Sequence, residues 1–319
     1  MAKELKELIA KEQTLLSSVE AFFRIYSLKE RENRMEFHRP PHMFVGQLEL
    51  KVINIERSLA FYQNAIGFQI LEQSSKKAVL TADGQTPLLT IEQPENVKKK
   101  QPNTTGLYHF AILLPARSDL AKVLRHLIQI GYPLHGGSDH LVSEALYLAD
   151  PDGNGIEIYA DRPSSTWNWK NGEVVMATEP LNVESLLAEG KGESWEGLPA
   201  DSLIGHIHLH VSDLQKAEEF YIKGLGFHVV NRYGRQALFI STGGYHHHIG
   251  LNTWNGAGAP MPPENSAGLK WFSLVLPTEE ARNKIIERLQ KIRASVKEEN
   301  GVYMTKDPSG HLIQLFVSN

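Results

Sequence analysis

Residues Gly205–Val211 read GHIHLHV, and the reading of this stretch decides the fold. His206, His208 and His210 alternate strictly with Ile207, Leu209 and Val211. A period of two marks a half-buried strand, so the three imidazoles share one face and the apolar residues share the other. Each imidazole carries two polar nitrogens. A face of three is hard to bury unless donors, acceptors or a metal satisfy them. The plain alternative is a solvated strand face, and the rest of the chain decides between the two.

The stretch recurs in altered form. GHIHLHVSDLQKAEEFYIKGLGFHVV from Gly205 lines up with GQLELKVINIERSLAFYQNAIGFQIL from Gly46 at an offset of 159 positions (205 minus 46), which matches Phe61-Tyr62 to Phe220-Tyr221 and Gly67-Phe68 to Gly226-Phe227. A second pair links GLYHFAILLP from Gly106 with GLKWFSLVLP from Gly268, and DPDGNGIEIY from Asp150 with DPSGHLIQLF from Asp307. Each copy reads as a strand, a helix (with Ser212 or Asp213 as its cap in the third), then three strands, the last two joined in the second and fourth by a DPxG turn. The modules fall near 44–95, 104–162, 203–255 and 267–318. Domain bounds of 44–162 and 203–319 follow, with a linker over 163–202. Residues 1–43 form a helical extension, with Leu5, Leu8, Ile9, Leu15, Leu16, Val19, Phe22 and Phe23 at helical spacing before Pro40 and Pro41.

Composition narrows the function. A net charge of −4 with no dominant basic face argues against nucleic acid, and no apolar run is long enough to span a bilayer. The N-terminal MAKELKELIAKEQ lacks the apolar core of a signal peptide, so a cytoplasmic protein is expected. With no cysteine there are neither disulfides nor thiolate ligands, and any metal must sit on His, Asp, Glu and water.

Four βαβββ modules with a strand-leading Gly-His, a helical FY, a GF at the helix exit and a DPDGNGIEIY close resemble the vicinal oxygen chelate superfamily. Within it they resemble the two-domain extradiol ring-cleaving dioxygenases, close to the catechol 2,3-dioxygenases of bacilli. The resemblance covers nearly everything after residue 44. It implies an α+β fold of glyoxalase/extradiol dioxygenase type, its four modules paired into two half-barrel domains. It also implies a metal centre on first and closing strands.

The internal repeats test which modules keep the implied ligands. Modules 2 and 3 hold His109, Glu157 and His206, whereas modules 1 and 4 have Trp271, Gln314 and Gln47 at the matching positions. Two imidazoles and a carboxylate suit non-haem Fe²⁺, with Mn²⁺ as the alternative. His208, on the same strand face as His206, is the reserve ligand. Because module 4 lacks the set, module 2 is expected to pair with module 3 and module 1 with module 4, although the family site usually lies in modules 3 and 4.

The resemblance places the acid–base histidine in YHHHIGLN, at His248. It makes Tyr147, ten residues before Glu157, a catalytic partner, and His140 another, at a shorter spacing than in the family. His208 and His247 are expected to bind substrate. The implied reaction opens a catechol or a related dihydroxybenzene with O₂; the partners are therefore a small aromatic diol and O₂, with a homo-oligomer left open. A glyoxalase-like isomerase or thiol transferase is the alternative within the superfamily, and a metal-free binding module is the alternative outside catalysis.

Overall fold

A computed structural model describes residues 36–189, 192 and 194–317. The helices expected before residue 36 lie outside the described residues, and 37–43 run as turns into the first strand.

All four modules have the expected order. Module 1 holds β1 (Phe44–Lys51), α1 (Ile55–Phe61), β2 (Gln69–Gln73), β3 (Lys77–Thr81) and β4 (Leu89–Glu92). Module 2 holds β5 (Gly106–Leu113), α2 (Arg117–Gln129), β6 (Gly136–Asp139), β7 (Ser143–Ala149) and β8 (Gly155–Asp161). The intervening segment forms β9 (Trp169–Lys170), β10 (Glu173–Val174), β11 (Glu179–Pro180) and α3 (Val183–Glu189). Module 3 holds β12 (Leu203–His210), α4 (Leu214–Glu218), β13 (His228–Tyr233), β14 (Ala237–Ser241) and β15 (Ile249–Asn252). Module 4 holds β16 (Gly268–Leu276), α5 (Glu279–Lys291), β17 (Val296–Glu299), β18 (Val302–Lys306) and β19 (Leu312–Val317). Asp213 caps α4 by accepting from the backbone of Gln215 and Lys216, both at 3.0 Å.

The sheets are built across the chain. One runs β17-β18-β19-β16-β1-β4-β3-β2 and the other β11-β6-β7-β8-β5-β12-β15-β14-β13. Module 1 thus joins module 4, and module 2 joins module 3. Consecutive modules, expected to form one domain over 44–162 and another over 203–319, share no sheet. They are tied instead by buried hydrogen bonds from the helical FY motif to the DPxG turn. Tyr62 donates to Asp150 (2.8 Å) and Tyr221 to Asp307 (3.1 Å). Modules 1 and 2 are joined by the first of these bonds, and modules 3 and 4 by the second.

The period of two in the histidine strand has the expected consequence. Ile207, Leu209 and Val211 are buried in one continuous apolar core that also takes Leu48, Phe110 and Phe272. The opposite parity of β12 and β5 faces a cavity. Residues from near one end and from the other end of the nine-strand order, Gly136 on β6 and Tyr233 on β13, line that cavity, so this sheet curls as a half-barrel. The glycine of GHIHLHV is required by a close approach, since a Cβ on Gly205 would lie 1.9 Å from the Tyr159 hydroxyl.

Candidate metal centre and its cavity

Three neighbouring strands assemble the centre. Across the antiparallel pair β5–β12, His206 lies opposite Ala111 and His208 opposite His109. Across the parallel pair β5–β8, Ala111 lies beside Glu157. His206, Ala111 and Glu157 therefore form one row over three strands, and the small Ala111 lets the two longer side chains meet above it. Glu157 Oε2 is 3.2 Å from His206 Nε2 and 3.1 Å from His109 Nε2. Among the described residues this is the only such group of three or more side chains, its ligand atoms all within 4.8 Å of one another.

The residues fit a divalent ion. Bonds of about 2.0–2.2 Å to imidazole and carboxylate put ligand atoms at right angles about 3 Å apart, close to the separations observed. His109 Nε2 is buried and makes no aligned hydrogen bond, although the carboxylate is adjacent. That is the geometry of an atom aimed at a shared ion rather than at the oxygen. Burial alone would raise the Glu157 carboxyl, but His206 and His109 hold it well below the usual carboxylate range. Burial also lowers His206 to about 4 against the pull of Glu157. An ionised carboxylate and a neutral imidazole are the forms that ligate.

His208 stands outside the group of three. Its neighbours are fixed by a single amide. The Trp254 backbone N–H donates to Asn252 Oδ1 (3.0 Å), so the other end of the carboxamide is the Nδ2 that donates to His208 Nε2 (3.0 Å). His210 Nδ1 donates to the same Oδ1 at 2.7 Å. With Nε2 accepting, a neutral His208 keeps its proton on Nδ1. Burial, reinforced by His109 and His206, lowers this imidazole well below its usual value. Gly250 makes room for the ring, because a Cβ there would lie 2.7 Å from His208 Cδ2.

Around the centre lies a cavity of about 480 Å³, whose wall includes His109, Glu157, Tyr147, His140, His208 and His247. Tyr147 and Glu157 face each other across β7 and β8. The Tyr147 hydroxyl is 2.6 Å from His140 Nε2, and His140 Nδ1 is 2.7 Å from the Ala177 carbonyl. A carbonyl can only accept, so a neutral His140 donates through Nδ1 and receives the tyrosine proton at Nε2. Burial and the Glu157 charge raise the Tyr147 phenol well above its usual value.

The histidine run is ordered differently from expectation. His248 does not line the cavity. Its Nε2 donates to the Phe37 carbonyl (3.0 Å), and its Nδ1 accepts from the Thr242 N–H (3.3 Å). The member that reaches the wall is His247, its ring 4.2 Å from that of His206. Behind it, His246 Nδ1 is 2.8 Å from His247 Nδ1 and His246 Nε2 is 2.8 Å from Asp161 Oδ1. The reason is local: the regular strand begins only at Ile249, so the alternation of side chains does not extend back through 242–248.

Sequence reasoning missed Ala111, Asn252, Asp161 and the intervening segment. That segment was expected to be only a linker, yet Met176, Ala177 and Thr178 form part of the wall. Strand alternation could have found Ala111, which stands two residues after His109 and so shares its face of β5. In the other sheet, Glu49 holds the repeat position of His208 and is neutralised by Lys77 (2.9 Å) and Lys270 (2.6 Å).

Fold and centre together define the class. The profile of the Glyoxalase/Bleomycin resistance protein/Dioxygenase superfamily matches residues 44–158 and again 203–315, and the chain belongs to that superfamily. Among characterised relatives, the catechol-2,3-dioxygenase of Bacillus subtilis (strain 168) is 49% identical over 274 residues, covering 85% of this chain and 95% of the relative. Solved structures of the same fold include a putative dioxygenase from Bacillus subtilis (TM-score 0.59, 12% identity, 86% of this chain and 85% of that one). Glyoxalase I from Zea mays is another (TM-score 0.54, 16% identity, 86% and 92%). At these identities the structural likeness concerns the fold alone. Among the described residues no helix is long and apolar enough to cross a membrane.

Proposed function

We propose that the protein is a metal-dependent extradiol dioxygenase that opens the ring of catechol or a related dihydroxybenzene with O₂, as the name of its 49%-identical relative indicates for that protein. The observation that carries the reading is the buried His109–Glu157–His206 group, of which His109 and Glu157 line a cavity that also holds proton-handling side chains. A metal-free sequestering pocket would have no use for a buried carboxylate flanked by two buried imidazoles.

His109, His206 and Glu157 would hold the ion, Fe²⁺ in preference to Mn²⁺. When bound it supplies Lewis acidity toward the two adjacent ring oxygens and a redox-competent position for O₂. Both atoms of O₂ enter the product, so no external reductant is needed. The chain supplies the proton handling. Asp161 accepts from His246 Nε2, which obliges a neutral His246 to accept the His247 proton at Nδ1. His247 Nε2 is then a free acceptor for a diol proton, and we move the acid–base role there from His248. His208 donates from Nδ1 to a substrate oxygen. Tyr147 and His140 hold a second proton at the wall, placed to stabilise charge that develops on oxygen during ring opening. A cytoplasmic setting, expected from the N-terminal composition, and a homo-oligomeric state, suggested by the family resemblance, are tested by fractionation and by light scattering.

The experiment is anaerobic Fe²⁺ loading followed by catechol in air, with wild type and Glu157→Ala side by side. A yellow ring-opened product with wild type alone is the expected result. Colour from both would place the carboxylate ligand elsewhere. Colour from neither, with metal bound, would direct the search to hydroquinones and then to isomerase chemistry.

A further inference from the structure

The segment between modules 2 and 3 is fastened at both sides of the half-barrel. At one side β11 pairs with β6, Glu179 opposite Asp139 and Pro180 opposite Ser138. At the other, the Val174 carbonyl accepts from Asn231 Nδ2 (2.8 Å) on β13, the strand at the far end of the same sheet. The Val174 side chain is fully buried among Val142 of module 2, Val230 of module 3, Trp167 and Tyr245. Between the two anchorages Met176, Ala177 and Thr178 pass along the cavity wall.

Ala177 meets His140 twice. Its N–H donates to the His140 carbonyl (3.3 Å), and its own carbonyl accepts from His140 Nδ1 (2.7 Å). The backbone of His140 is already held by a turn. Its N–H donates to the Ser143 carbonyl (2.8 Å), and Asp139 accepts from the Leu141 N–H (2.9 Å) and from the Arg162 guanidinium (2.7 Å). What remains open is which ring nitrogen carries the proton, and the Ala177 carbonyl decides it. With Nδ1 donating, Nε2 accepts from the Tyr147 hydroxyl at 2.6 Å. Tyr147 also faces Glu157 across β7 and β8, and that carboxylate is a second acceptor for the same hydroxyl. With the proton on Nε2 instead, His140 and Tyr147 would present hydrogens to each other. The phenol proton would then turn to Glu157 and occupy a lone pair needed for the ion.

We propose that Asn231 is a positioning residue for this proton pair. Through the Val174 carbonyl it holds the strap of residues 174–178 in place, so that Ala177 fixes the His140 tautomer and directs the Tyr147 proton away from Glu157. A side chain of module 3 thereby sets a proton in module 2 through an intervening peptide. Ala177 lies about midway between the anchorages, and its peptide is free to turn once the Val174 end is released. The consequence for turnover rests on the dioxygenase reading given above; the tautomer does not.

The test reads the tautomer directly, by ¹⁵N-histidine NMR of the diamagnetic Zn²⁺-loaded protein, with His140→Gln to assign the signal. Wild-type His140 should be protonated at Nδ1. Asn231→Leu should move the proton wholly or partly to Nε2, and Asn231→Gln, which keeps an amide donor, should restore it at least in part. Val174→Ala, whose side chain packs behind the wall, should act as Asn231→Leu does. In Fe²⁺-loaded protein turning over catechol in air, Asn231→Leu should lower kcat about tenfold with KM within about threefold. The same substitution made in Tyr147→Phe should lower kcat no further, because the two residues act as one unit. A wild-type signal protonated at Nε2, or one left unchanged in folded Asn231→Leu, overturns the inference. So do losses that add in the double variant, and a raised KM with kcat unchanged, which would put Asn231 on the substrate itself. If the wild type opens no ring, the dioxygenase reading fails instead. The tautomers of Asn231→Leu and Asn231→Gln then still judge the strap: a shift with its rescue upholds the inference, and no shift overturns it.

Discussion

His246 and His247, adjacent in sequence, hold their Nδ1 atoms 2.8 Å apart. One of the two must donate and the other accept, and Asp161 on the far side of His246 decides which. The arrangement turns His247 into an acceptor toward the cavity without any charge on its own ring. His247→Ala should lower kcat by about 10²–10⁴, the usual span for loss of a general base. Asp161→Asn should lower kcat by about tenfold with little change in KM, because it disturbs only the tautomer. His248→Gln, which keeps a donor for the Phe37 carbonyl, should leave kcat within about threefold while lowering stability. Steady-state kinetics on the three variants decides the matter. A collapse of kcat in His248→Gln, with His247→Ala active, would return the role to His248.

Asn252 acts through the rings it holds. Asn252→Leu leaves the buried Nε2 of His208 without its donor and Nδ1 of His210 without its acceptor. The expected costs are about 2 kcal/mol or more of stability and about tenfold weaker diol affinity. Urea unfolding and anaerobic titration with a diol read the two effects separately. Unchanged affinity in a folded variant would mean that His208 does not touch substrate.

Ala111 tests the row on which the centre is built. A branched side chain here would stand between His206 and Glu157, neighbours of Ala111 on either side. Ala111→Val should remain folded by circular dichroism yet lose metal. In wild type, saturating metal at about 100 times its dissociation constant adds about 2.7 kcal/mol of stability. A chelator should therefore lower the melting temperature of wild type but not of Ala111→Val. Equal metal content in the two proteins would remove the steric argument.

These tests fall on residues of unequal legibility. His206, His109 and Glu157 could be read from the chain because strand alternation and an internal repeat each speak to the same positions. The pairing of module 2 with module 3 could be read from Trp271 and Gln314, where the repeat has lost its ligands. The sheet order agrees with that reading. His248 lies off the cavity wall rather than on it, a position that alternation could not reveal because it carries no information through a turn. Asn252 and Asp161 were invisible for another reason. Each acts on a histidine brought near it by folding, and nothing in the sequence spacing encodes that neighbour. Met176 and Ala177 sit in a stretch whose polar composition reads as linker, and their contribution depends on β11 joining the edge of β6.

Acid should unfold the metal-free protein earlier than its carboxylates alone would require. His38 is 3% exposed, its Nε2 donates to the Gly205 carbonyl (2.8 Å) and its Nδ1 has no partner. Burial, only partly offset by that bond, lowers its pKa to about 4. His248 is lowered in the same direction by burial, then by His38. A second proton on it would also have to displace the Thr242 N–H. For a group whose folded pKa is depressed, the unfolded chain binds more protons between the two values. Stability is therefore complete above the unfolded value of 6.5 and is lost as pH falls toward 4. For His38 alone the loss at pH 5 is about 2 kcal/mol. Urea midpoints measured with chelator at pH 7.5, 6 and 5 should fall steadily, and His38→Phe should flatten the slope. Midpoints that stay level down to pH 5 would show that these buried imidazoles are hydrated or paired in the folded protein, and the burial argument for them would fail.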